Sequence, residues 1–388
     1  MNERLEIRKF GPIDHLVVED IKPMTVFIGE SGCGKSTVMK VLAIFRWIYK
    51  MVGIRSYLKD YSGIKKSPFS FNFPYYLKMD GLDSYLNPDT FFSYSRGECS
   101  IEFSNKKPKK KFRLVNQHIP QSELSLEKVS YISEKRNLIP DVFNHVLTIN
   151  KNAFYLNEVW SDYKLASEQI AELDMPFTNV RFLKKRSKQG EKHMIQPISG
   201  EEKYLIDIGE ASSGIQSSTP LSLIIEYFSH HYDLVKAMNK SVVSYLSEQD
   251  SLMEFHSDMN IGDFPFKRVN LFVEEPELSL FPDNQLGLIE YMVDRCFISK
   301  TGDYDITMML STHSPYIVNY LNVLLHRPTT EVHLDKEQLG VYLIYNGRIQ
   351  DLMLHKDDSD DIAVDARDLS ETMQAIYNEY VELAGARI

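Results

Sequence analysis

Apolar residues along the chain follow two spacings, one typical of strands and the other of helices. Residues 4–10 alternate between apolar and polar side chains, which predicts a strand with one exposed face. Met24–Ile28 is a continuous apolar run, as expected of a strand buried on both faces. The same patterns predict further strands at His15–Val18, Glu98–Ser104, Lys111–Val115, Val129–Ser133, Lys267–Val273, Ile306–Leu310, Val341–Tyr345 and Arg348–Met353.

Helical spacing is clearest at Leu286–Phe297, where apolar residues recur every three or four positions. Similar spacing predicts helices at Thr37–Ile48, 141–175, 218–237, 240–256 and 368–383. Residues 52–95 show no clean period, so we expect loops and short elements there. Residues 181–192 are basic, and their pattern predicts no regular structure.

These elements suggest four segments along the chain. We expect an N-terminal lobe at 1–136, a mostly helical insertion at 137–203, a C-terminal lobe at 204–355, and an acidic linker with a final helix at 356–388. The chain has 388 residues, long enough to bury a sizeable core as one large domain with an insertion, or as two domains.

The segment Gly29–Ser36 fits the pattern G-x-x-x-x-G-K-[ST] and lies between a predicted strand and a predicted helix. Glycines in such a loop let backbone N–H groups converge on phosphate oxygens, and the helix N-terminus adds its positive dipole end. The alternative is a glycine-rich turn that matches by chance. The candidate nucleotide-binding residues are Gly29, Glu30, Ser31, Gly32, Cys33, Gly34, Lys35, Ser36 and Thr37.

Two adjacent acids, Glu274 and Glu275, follow the predicted strand 267–273. An acidic residue at a buried strand end can serve Mg²⁺, and a second can polarise an attacking water. We therefore expect Glu274 and Ser36 at the metal, and Glu275 as the general base. The alternative is a pair of carboxylates that simply begins a solvated loop.

Three other polar groups follow strands or precede helices. His313 follows the strand 306–310 and is a candidate catalytic residue that contacts the γ-phosphate, although a lone histidine is more often structural. Arg136 follows the strand 129–133 and is a candidate nucleotide contact, with a solvated surface position as the alternative. Ser213, Gly214 and Gln216 precede a helix and are candidates to bind a γ-phosphate presented by another subunit, or are an ordinary helix cap.

Composition narrows the choice of function. The net charge is −10, which is unusual for an autonomous nucleic-acid binder, so any DNA contact must be local, as at the basic segments 106–111 and 184–192. Three widely spaced cysteines suggest neither a disulfide framework nor a metal site, which points to a reducing, cytoplasmic compartment. We expect no secretory signal and no membrane span, because the N-terminus is charged and apolar runs are short.

Taken in order, Gly29–Ser36, Ser212–Gln216, Glu274–Glu275 and His313 resemble the motif set of the ABC-type ATPase head. The opening residues 5–13 resemble RecF- and SMC-like ATPases rather than transporters. The resemblance implies an α/β P-loop NTPase fold of the ABC-ATPase head type, with a mixed central sheet, an antiparallel β subdomain and a mostly helical insertion. It also implies ATP and Mg²⁺ as cofactors, with ATP held between two heads.

Within that group, the chain resembles the AAA-type ATPases of the OLD class. The matching segments are Glu274–Glu277 (Glu-Glu-Pro-Glu), Ser311–Pro315 (Ser-Thr-His-Ser-Pro) and Tyr131–Arg136. Ser213, Gly214 and Gln216 match the signature Leu-Ser-Gly-Gly-Gln, whose second glycine is replaced here by Ile215. No glutamine of the Q-loop can be assigned from the sequence.

This resemblance implies a bacterial anti-phage defence ATPase, as in the PARIS or Septu systems. Such a protein forms a homo-oligomer, at least a head-to-tail dimer and in the larger alternative a hexamer. It controls a separately encoded effector nuclease of TOPRIM or HNH type, with DNA or a phage protein as the trigger. The alternatives are a RecF-like repair ATPase that clamps DNA, a nucleotide-dependent scaffold or sensor with little turnover, and a transporter subunit, which the Glu-Glu-Pro-Glu run disfavours.

Overall fold

The computed structural model describes residues 2–61, 71–106, 111–115, 118–187, 190–200, 204–248, 259–355, 362–367, 369 and 371–385. Its strands are β1 (Glu3–Phe10), β2 (Ile13–Val18), β3 (Met24–Ile28), β4 (Leu86–Arg96), β5 (Cys99–Ser104), β6 (Lys111–Val115), β7 (Ser125–Ile132), β8 (Glu172–Met175), β9 (Val180–Ser187), β10 (Gly190–Pro197), β11 (Ile206–Asp207), β12 (Phe266–Glu274), β13 (Asp305–Thr312), β14 (Leu339–Tyr345), β15 (Arg348–Asp351), β16 (Met353–His355) and β17 (Ile362–Val364). Its helices are α1 (Lys35–Tyr61), α2 (Phe73–Met79), α3 (Ile139–Phe143), α4 (Phe154–Gln169), α5 (Ser213–Glu226), α6 (Leu234–Glu248), α7 (Pro282–Val293), α8 (Pro315–His326) and α9 (Glu371–Gly385).

A six-stranded sheet forms the centre of the molecule, in the order β15-β14-β3-β13-β12-β7. Its neighbouring strands pair in parallel except at the edge pair β14–β15, which is antiparallel. Every residue of β3 is buried, as its continuous apolar run predicts. The Asn346–Gly347 turn joins β14 to β15 with positive φ at both residues, which confirms the predicted terminal hairpin.

An antiparallel sheet of five strands, in the order β2-β1-β4-β5-β6, lies against α1. Aromatic side chains fill the contact, where the ring centroids of Phe45 and Tyr94 are 5.4 Å apart. The guanidinium of Arg46 donates to both carboxylate oxygens of Glu3, at 2.8 and 2.9 Å, and to the Thr307 hydroxyl at 3.0 Å. This buried ion pair connects the two sheets through α1.

The segment 137–203 differs from the expected mostly helical insertion. Helices α3 and α4 occupy its first half, but β8, β9 and β10 form most of an antiparallel sheet in its second half. Residues 181–192, expected to lack regular structure, lie largely in the β9–β10 hairpin. Phe182 and His193 point into the core while long basic side chains point outward, and those side chains obscure the strand pattern in the sequence.

Two helices also differ from their predicted extents. Helix α1 continues to Tyr61, well past Ile48, and the region 52–95 contains α2 and β4 rather than mainly loops. Because α1 is buried on most sides, it has no one-sided apolar stripe to mark its length. The predicted helix 218–237 begins earlier, at Ser213, and ends in a π-helical turn at Tyr227–His231 before α6.

The predicted fold class is confirmed: an α/β P-loop fold with a mixed central sheet and an antiparallel β subdomain. The segment boundaries at 136, 203 and 355 stay predictions. The first part of the acidic linker, at 356–361, and the tip of the basic hairpin, at 107–110, lie outside the described residues. Among the described helices, none combines the length and apolar character needed to cross a membrane.

Candidate functional site

Four neighbouring parallel strands bring the predicted site residues, apart from Ser213–Gln216, to one edge of the central sheet. Register places Glu274 of β12 beside Ser311 of β13, and Thr312 of β13 beside Ile28 of β3. Because parallel strands end at the same edge, the segments after them meet there. The segment Gly29–Ser36, hereafter the P-loop, therefore converges with Glu275, His313 and the segment that follows β7.

The loop at residues 29–34 has backbone geometry that glycine permits. Gly34 has a φ of +111°, and a Cβ on Gly29 would lie 2.4 Å from the carbonyl oxygen of Ile344. The Lys35 ammonium donates to the carbonyls of Gly29 and Glu30, at 2.8 and 2.9 Å. Burial lowers the pKa of Lys35, since carbonyl contacts replace only part of its hydration.

The remaining loop residues are placed as a phosphate loop requires. Glu30, Ser31 and Gly32 are exposed, Cys33 is half-buried, and Thr37 is buried in the first turn of α1. The loop tip is thus open to solvent while the helix that follows is anchored in the core.

Glu274 is only 3% exposed and is surrounded by hydrogen-bond donors. The Tyr131 hydroxyl donates to its Oε1 at 2.8 Å. Burial alone would raise the pKa of Glu274, but hydrogen bonds from Glu134, Ser36 and Tyr131 and the charge of Lys40 lower it. The pKa of the neighbouring Glu134 is raised by burial and by Glu274. Ser36 and Glu274, predicted together for Mg²⁺, are in contact.

Glu275 adopts a left-handed conformation, with a φ of 45°, which an L-residue with a side chain rarely adopts. Its N–H donates to the carbonyl of Ser311 at 2.8 Å, and its own carbonyl accepts from Arg136. Its side chain is about one-third exposed, and its Oε1 lies 3.7 Å from Nε2 of His313. The backbone is thus held from two sides while the carboxylate faces the open edge.

His313 lies between the P-loop lysine and Glu275. Its Nδ1 is 3.5 Å from Nζ of Lys35. The backbone N–H of His313 donates to Oε1 of Glu277 at 2.6 Å, and the Thr312 hydroxyl donates to the same oxygen at 2.8 Å. Glu277 therefore holds this loop in place. The sequence did not predict it as a site residue, although it is the last residue of the Glu-Glu-Pro-Glu run.

Arg136 is fully buried, so its side chain does not have the solvated surface position that was the alternative. Its guanidinium donates to the carbonyls of Ser133, Ser217, Glu274 and Glu275. These contacts join the end of β12 to the start of α5. A direct contact with nucleotide stays a prediction for Arg136, whereas its described partners favour a positioning role.

The segment Ser213–Gln216 forms the first turn of α5, and its Ser213 is exposed. A Cβ on Gly214 would lie 2.7 Å from the carbonyl oxygen of Ser279, so glycine permits a close approach between α5 and the loop after β12. Gln216 donates to the carbonyls of Gly209 and Ala211, at 2.7 and 2.9 Å. Among the described residues, these contacts lie within the C-terminal lobe and do not reach the P-loop.

The donor set at this edge fits ATP and Mg²⁺. Gly29 and Gly34 let the loop pack closely against Ile344 and Ile13, where a side chain would clash, and the Ser36 hydroxyl and Glu274 carboxylate are the hard oxygen ligands that Mg²⁺ prefers. Oε2 of Glu277 is a buried acceptor with no hydrogen-bond partner among the described residues. Lys35 would bind phosphate oxygens, and Ser36 and Glu274 would hold the metal.

No protein-family model matches the chain, and no curated protein matches it. Among solved structures, it is similar to the SMC head domain from Thermotoga maritima, at 10% identity and a TM-score of 0.38, with 92% of this chain and 100% of that one covered. It is also similar to the recombination mediator protein RecF-ATPrS of the RecFOR pathway, at 13% identity and a TM-score of 0.33, with 90% and 98% covered. The fold assignment follows from the strand order and the P-loop described above.

Proposed function

We propose that the chain is an ABC-type ATPase that binds and hydrolyses ATP between paired heads. The observation that carries this proposal is the arrangement around His313, whose ring nitrogens lie 3.5 Å from the Lys35 ammonium and 3.7 Å from the Glu275 carboxylate. A phosphate-binding lysine, a carboxylate and a histidine are thereby gathered beside a buried metal-type carboxylate, Glu274. P-loop ATP hydrolysis uses a phosphate-binding lysine, an acid at the metal and a group that orients the attacking water, and this cluster supplies one candidate for each.

Each residue has a distinct task in this proposal. Lys35 and the loop N–H groups bind and orient the phosphates, and bound Mg²⁺ would supply charge neutralisation beside Ser36 and Glu274. Glu275 accepts a proton from the attacking water, which its exposed carboxylate can reach from the open edge. His313 donates a hydrogen bond towards the γ-phosphate and keeps Glu275 oriented.

Head pairing accounts for the separation of the α5 N-terminus from the P-loop. Ser213 lies at an exposed helix N-terminus, where a helix dipole favours an anion. In a head-to-tail pair, the P-loop of one copy would face Ser213–Gln216 of the other. The nucleotide would then close the pair, and hydrolysis through Glu275 would open it.

The test of hydrolysis compares Glu275→Gln with a matched control, Glu337→Gln, at an exposed acid outside the site. We expect Glu275→Gln to lower ATP turnover by about 100-fold or more while ATP-dependent dimers persist longer, because proton abstraction is lost and binding is kept. Equal turnover and equal dimer lifetime for Glu275→Gln and the control would contradict the role of Glu275. The scaffold or sensor function would be supported by ATP-dependent assembly without turnover in the wild type.

The finer proposal is a defence ATPase that controls a separate nuclease of TOPRIM or HNH type. It is supported by the resemblance of Glu274–Glu277 and Ser311–Pro315 to the OLD class. Co-expression with the neighbouring reading frame, followed by purification with and without ATP, tests it. A nuclease that leaves the complex after ATP turnover supports this function, and a membrane permease as the neighbour would contradict it.

A DNA clamp is the second candidate, because exposed basic side chains lie together on the β9–β10 hairpin. Lys185, Arg186 and Lys192 are exposed there, whereas Lys184 donates to carbonyls at the end of α4. Duplex DNA binding by the purified chain, measured across a salt series, tests this candidate. A steep loss of affinity with salt that Lys185→Glu reduces would support it.

A further inference from the structure

A cavity of about 330 Å³ lies between α1, α2, β7 and the start of α4. Its volume is in the range of sites that hold small organic molecules, roughly 300–1,000 Å³. It adjoins the candidate nucleotide site, because Tyr131 lines the cavity and also hydrogen-bonds Glu274. Apart from Tyr131, its lining has no role in the proposed ATPase mechanism.

Half of the residues that line the cavity are aromatic. Trp47 of α1 meets Tyr76 of α2 edge to face, with ring centroids 4.9 Å apart. Tyr131 and Tyr155 form a second pair, at 4.4 Å. Tyr75, also in the lining, is 53% exposed, so the cavity opens to solvent at α2. A wall of this kind favours a small ligand with an apolar or aromatic body.

The charged groups that line the cavity are both acidic, Asp80 and Glu158. Burial raises the pKa of Asp80 to about 7, and the pKa of Glu158 is also raised by burial. The Tyr155 hydroxyl and the charge of Lys40, whose ammonium lies outside the lining 4.6 Å from the Tyr155 ring centre, lower the pKa of Asp80 but offset its burial only in part. A guest with a positive charge would stabilise the ionised carboxyl of Asp80.

We propose that this cavity is a binding site for a small organic cation with an apolar body, of the arylalkylammonium type. The aromatic rings would contact the apolar body, and the Asp80 carboxyl would pair with the cationic group. Aromatic faces attract cations as well as apolar groups, so the wall and the carboxyl favour the same chemical class.

Occupancy of the cavity would affect the nucleotide site through Tyr131, and this part rests on the proposed ATPase function. The Tyr131 ring contacts the Tyr155 ring in the cavity at an interplanar angle of 43°, while its hydroxyl donates to Glu274 at 2.8 Å. A guest that shifts the ring would change the hydrogen bond at the candidate metal carboxylate. Coupling of this kind is reciprocal, so nucleotide would also change the affinity for the cation.

Tryptophan fluorescence offers a direct binding test. The chain has two tryptophans, Trp47 in the cavity and Trp160 elsewhere on α4, so Trp160→Phe leaves emission from Trp47 alone. In this full-length variant, titration with 2-phenylethylammonium should give a saturable change in emission. The uncharged 2-phenylethanol should bind at least about tenfold more weakly, because it lacks the charge that pairs with Asp80.

Two cavity variants and one control, each made with Trp160→Phe, sharpen the test. Ala43→Leu fills the cavity and should abolish binding, and Asp80→Asn should remove the preference for the cation over the alcohol. Asp83→Asn changes an exposed acid close by in the chain and should bind as the parent does. No saturable change with 2-phenylethylammonium in the folded parent, or equal binding of cation and alcohol, would overturn the proposal. If Ala43→Leu does not fold, the Asp80→Asn result decides.

The coupling needs its own measurement, of MgATP affinity with and without saturating 2-phenylethylammonium. The cation should change the dissociation constant by about threefold or more in the wild type. Tyr131→Phe keeps the ring but removes the hydroxyl, so the cation should still bind while this change disappears. An unchanged MgATP affinity in the wild type would overturn the coupling. A failure of the chain to bind ATP would contradict the proposed function and leave the Trp47 result standing.

Discussion

The backbone N–H of His313 is held by Glu277, whose Oε1 lies 2.6 Å from the His313 nitrogen. The same oxygen accepts from the Thr312 hydroxyl, so one carboxylate fixes two consecutive residues of the loop after β13. The loop places the His313 ring between Lys35 and Glu275. Glu277 therefore positions the His313 ring through the backbone, without itself hydrogen-bonding Lys35 or Glu275.

Loss of Glu277 should reduce turnover more than binding. We expect Glu277→Ala to lower ATP hydrolysis by about 10- to 100-fold, because a displacement of His313 by an ångström is sufficient for such a loss. Glu277→Gln retains a carbonyl acceptor and should recover most of the activity. Steady-state hydrolysis and equilibrium ATP binding, measured on the same preparations, check this. Equal losses for Ala and Gln would show that the charge matters rather than the hydrogen bonds.

Arg136→Lys should separate a positioning role from a nucleotide contact. Lysine cannot reproduce the fork of donors to Ser217, Glu274 and Glu275, so we expect turnover to fall by about tenfold with ATP affinity within about threefold of wild type. Nucleotide binding and hydrolysis by the folded variant provide the check. A large loss of ATP affinity with unchanged thermal stability would support the direct contact instead.

The buried pair of Arg46 and Glu3 should matter for stability rather than for chemistry. Arg46→Met removes the bidentate partner of the buried Glu3 carboxylate, which keeps, among the described residues, only the Tyr94 hydroxyl at 2.8 Å and Arg268 at 4.0 Å, and should cost about 3 kcal/mol in the free energy of unfolding. The double variant with Glu3→Leu removes both charges and should recover part of that loss. Urea unfolding of the three proteins measures the difference. An additive, larger loss in the double variant would show that packing dominates.

Acid should destabilise the β9–β10 region through His193. This histidine is buried and stacks on Phe143 with ring centroids 3.6 Å apart, and burial lowers its pKa to about 4. The unfolded chain takes up a proton on this side chain near pH 6.5, whereas the folded chain does so only near pH 4, so the unfolded state is favoured progressively below pH 6.5. Stability is then lost between pH 6.5 and 4, by about 1.4 kcal/mol per pH unit, or roughly 3 kcal/mol in all.

His193→Asn provides the comparison for this effect, since asparagine does not titrate. The wild type should lose stability faster than the variant as the pH falls from 7 to 4.5, so the difference between their unfolding free energies should narrow. If the unfolding free energies of the wild type and the variant change with pH in parallel, then His193 has the same pKa in the folded and the unfolded chain. Denaturant unfolding at a series of pH values measures the two profiles.

Local signals in the sequence predicted the central sheet and most of the site well. The P-loop, Glu274 and His313 follow buried strands whose apolar runs are easy to recognise, and parallel pairing brings their ends together. Their chemistry stays a prediction, but their convergence is observed. The type of each residue and its position after a strand were sufficient to predict that these groups meet.

Other features depend on contacts that no local pattern displays. Glu277 reaches the backbone of a loop 36 positions away in the chain, and nothing in its neighbours indicates that partner. Helix α1 is buried on most sides, which removes the one-sided stripe that would have marked its length. The β9–β10 hairpin has long basic side chains that obscure its alternating pattern, so the second half of the insertion was predicted wrongly as helix or irregular chain.

The close approach of Gly214 to Ser279 has an evolutionary consequence. A Cβ at position 214 would lie 2.7 Å from the backbone carbonyl oxygen of Ser279, so any side chain there would push the start of α5 away from the loop after β12. Since that oxygen belongs to the backbone, no substitution at 279 can make room for a larger residue at 214. Related chains that keep this loop should therefore keep glycine at 214.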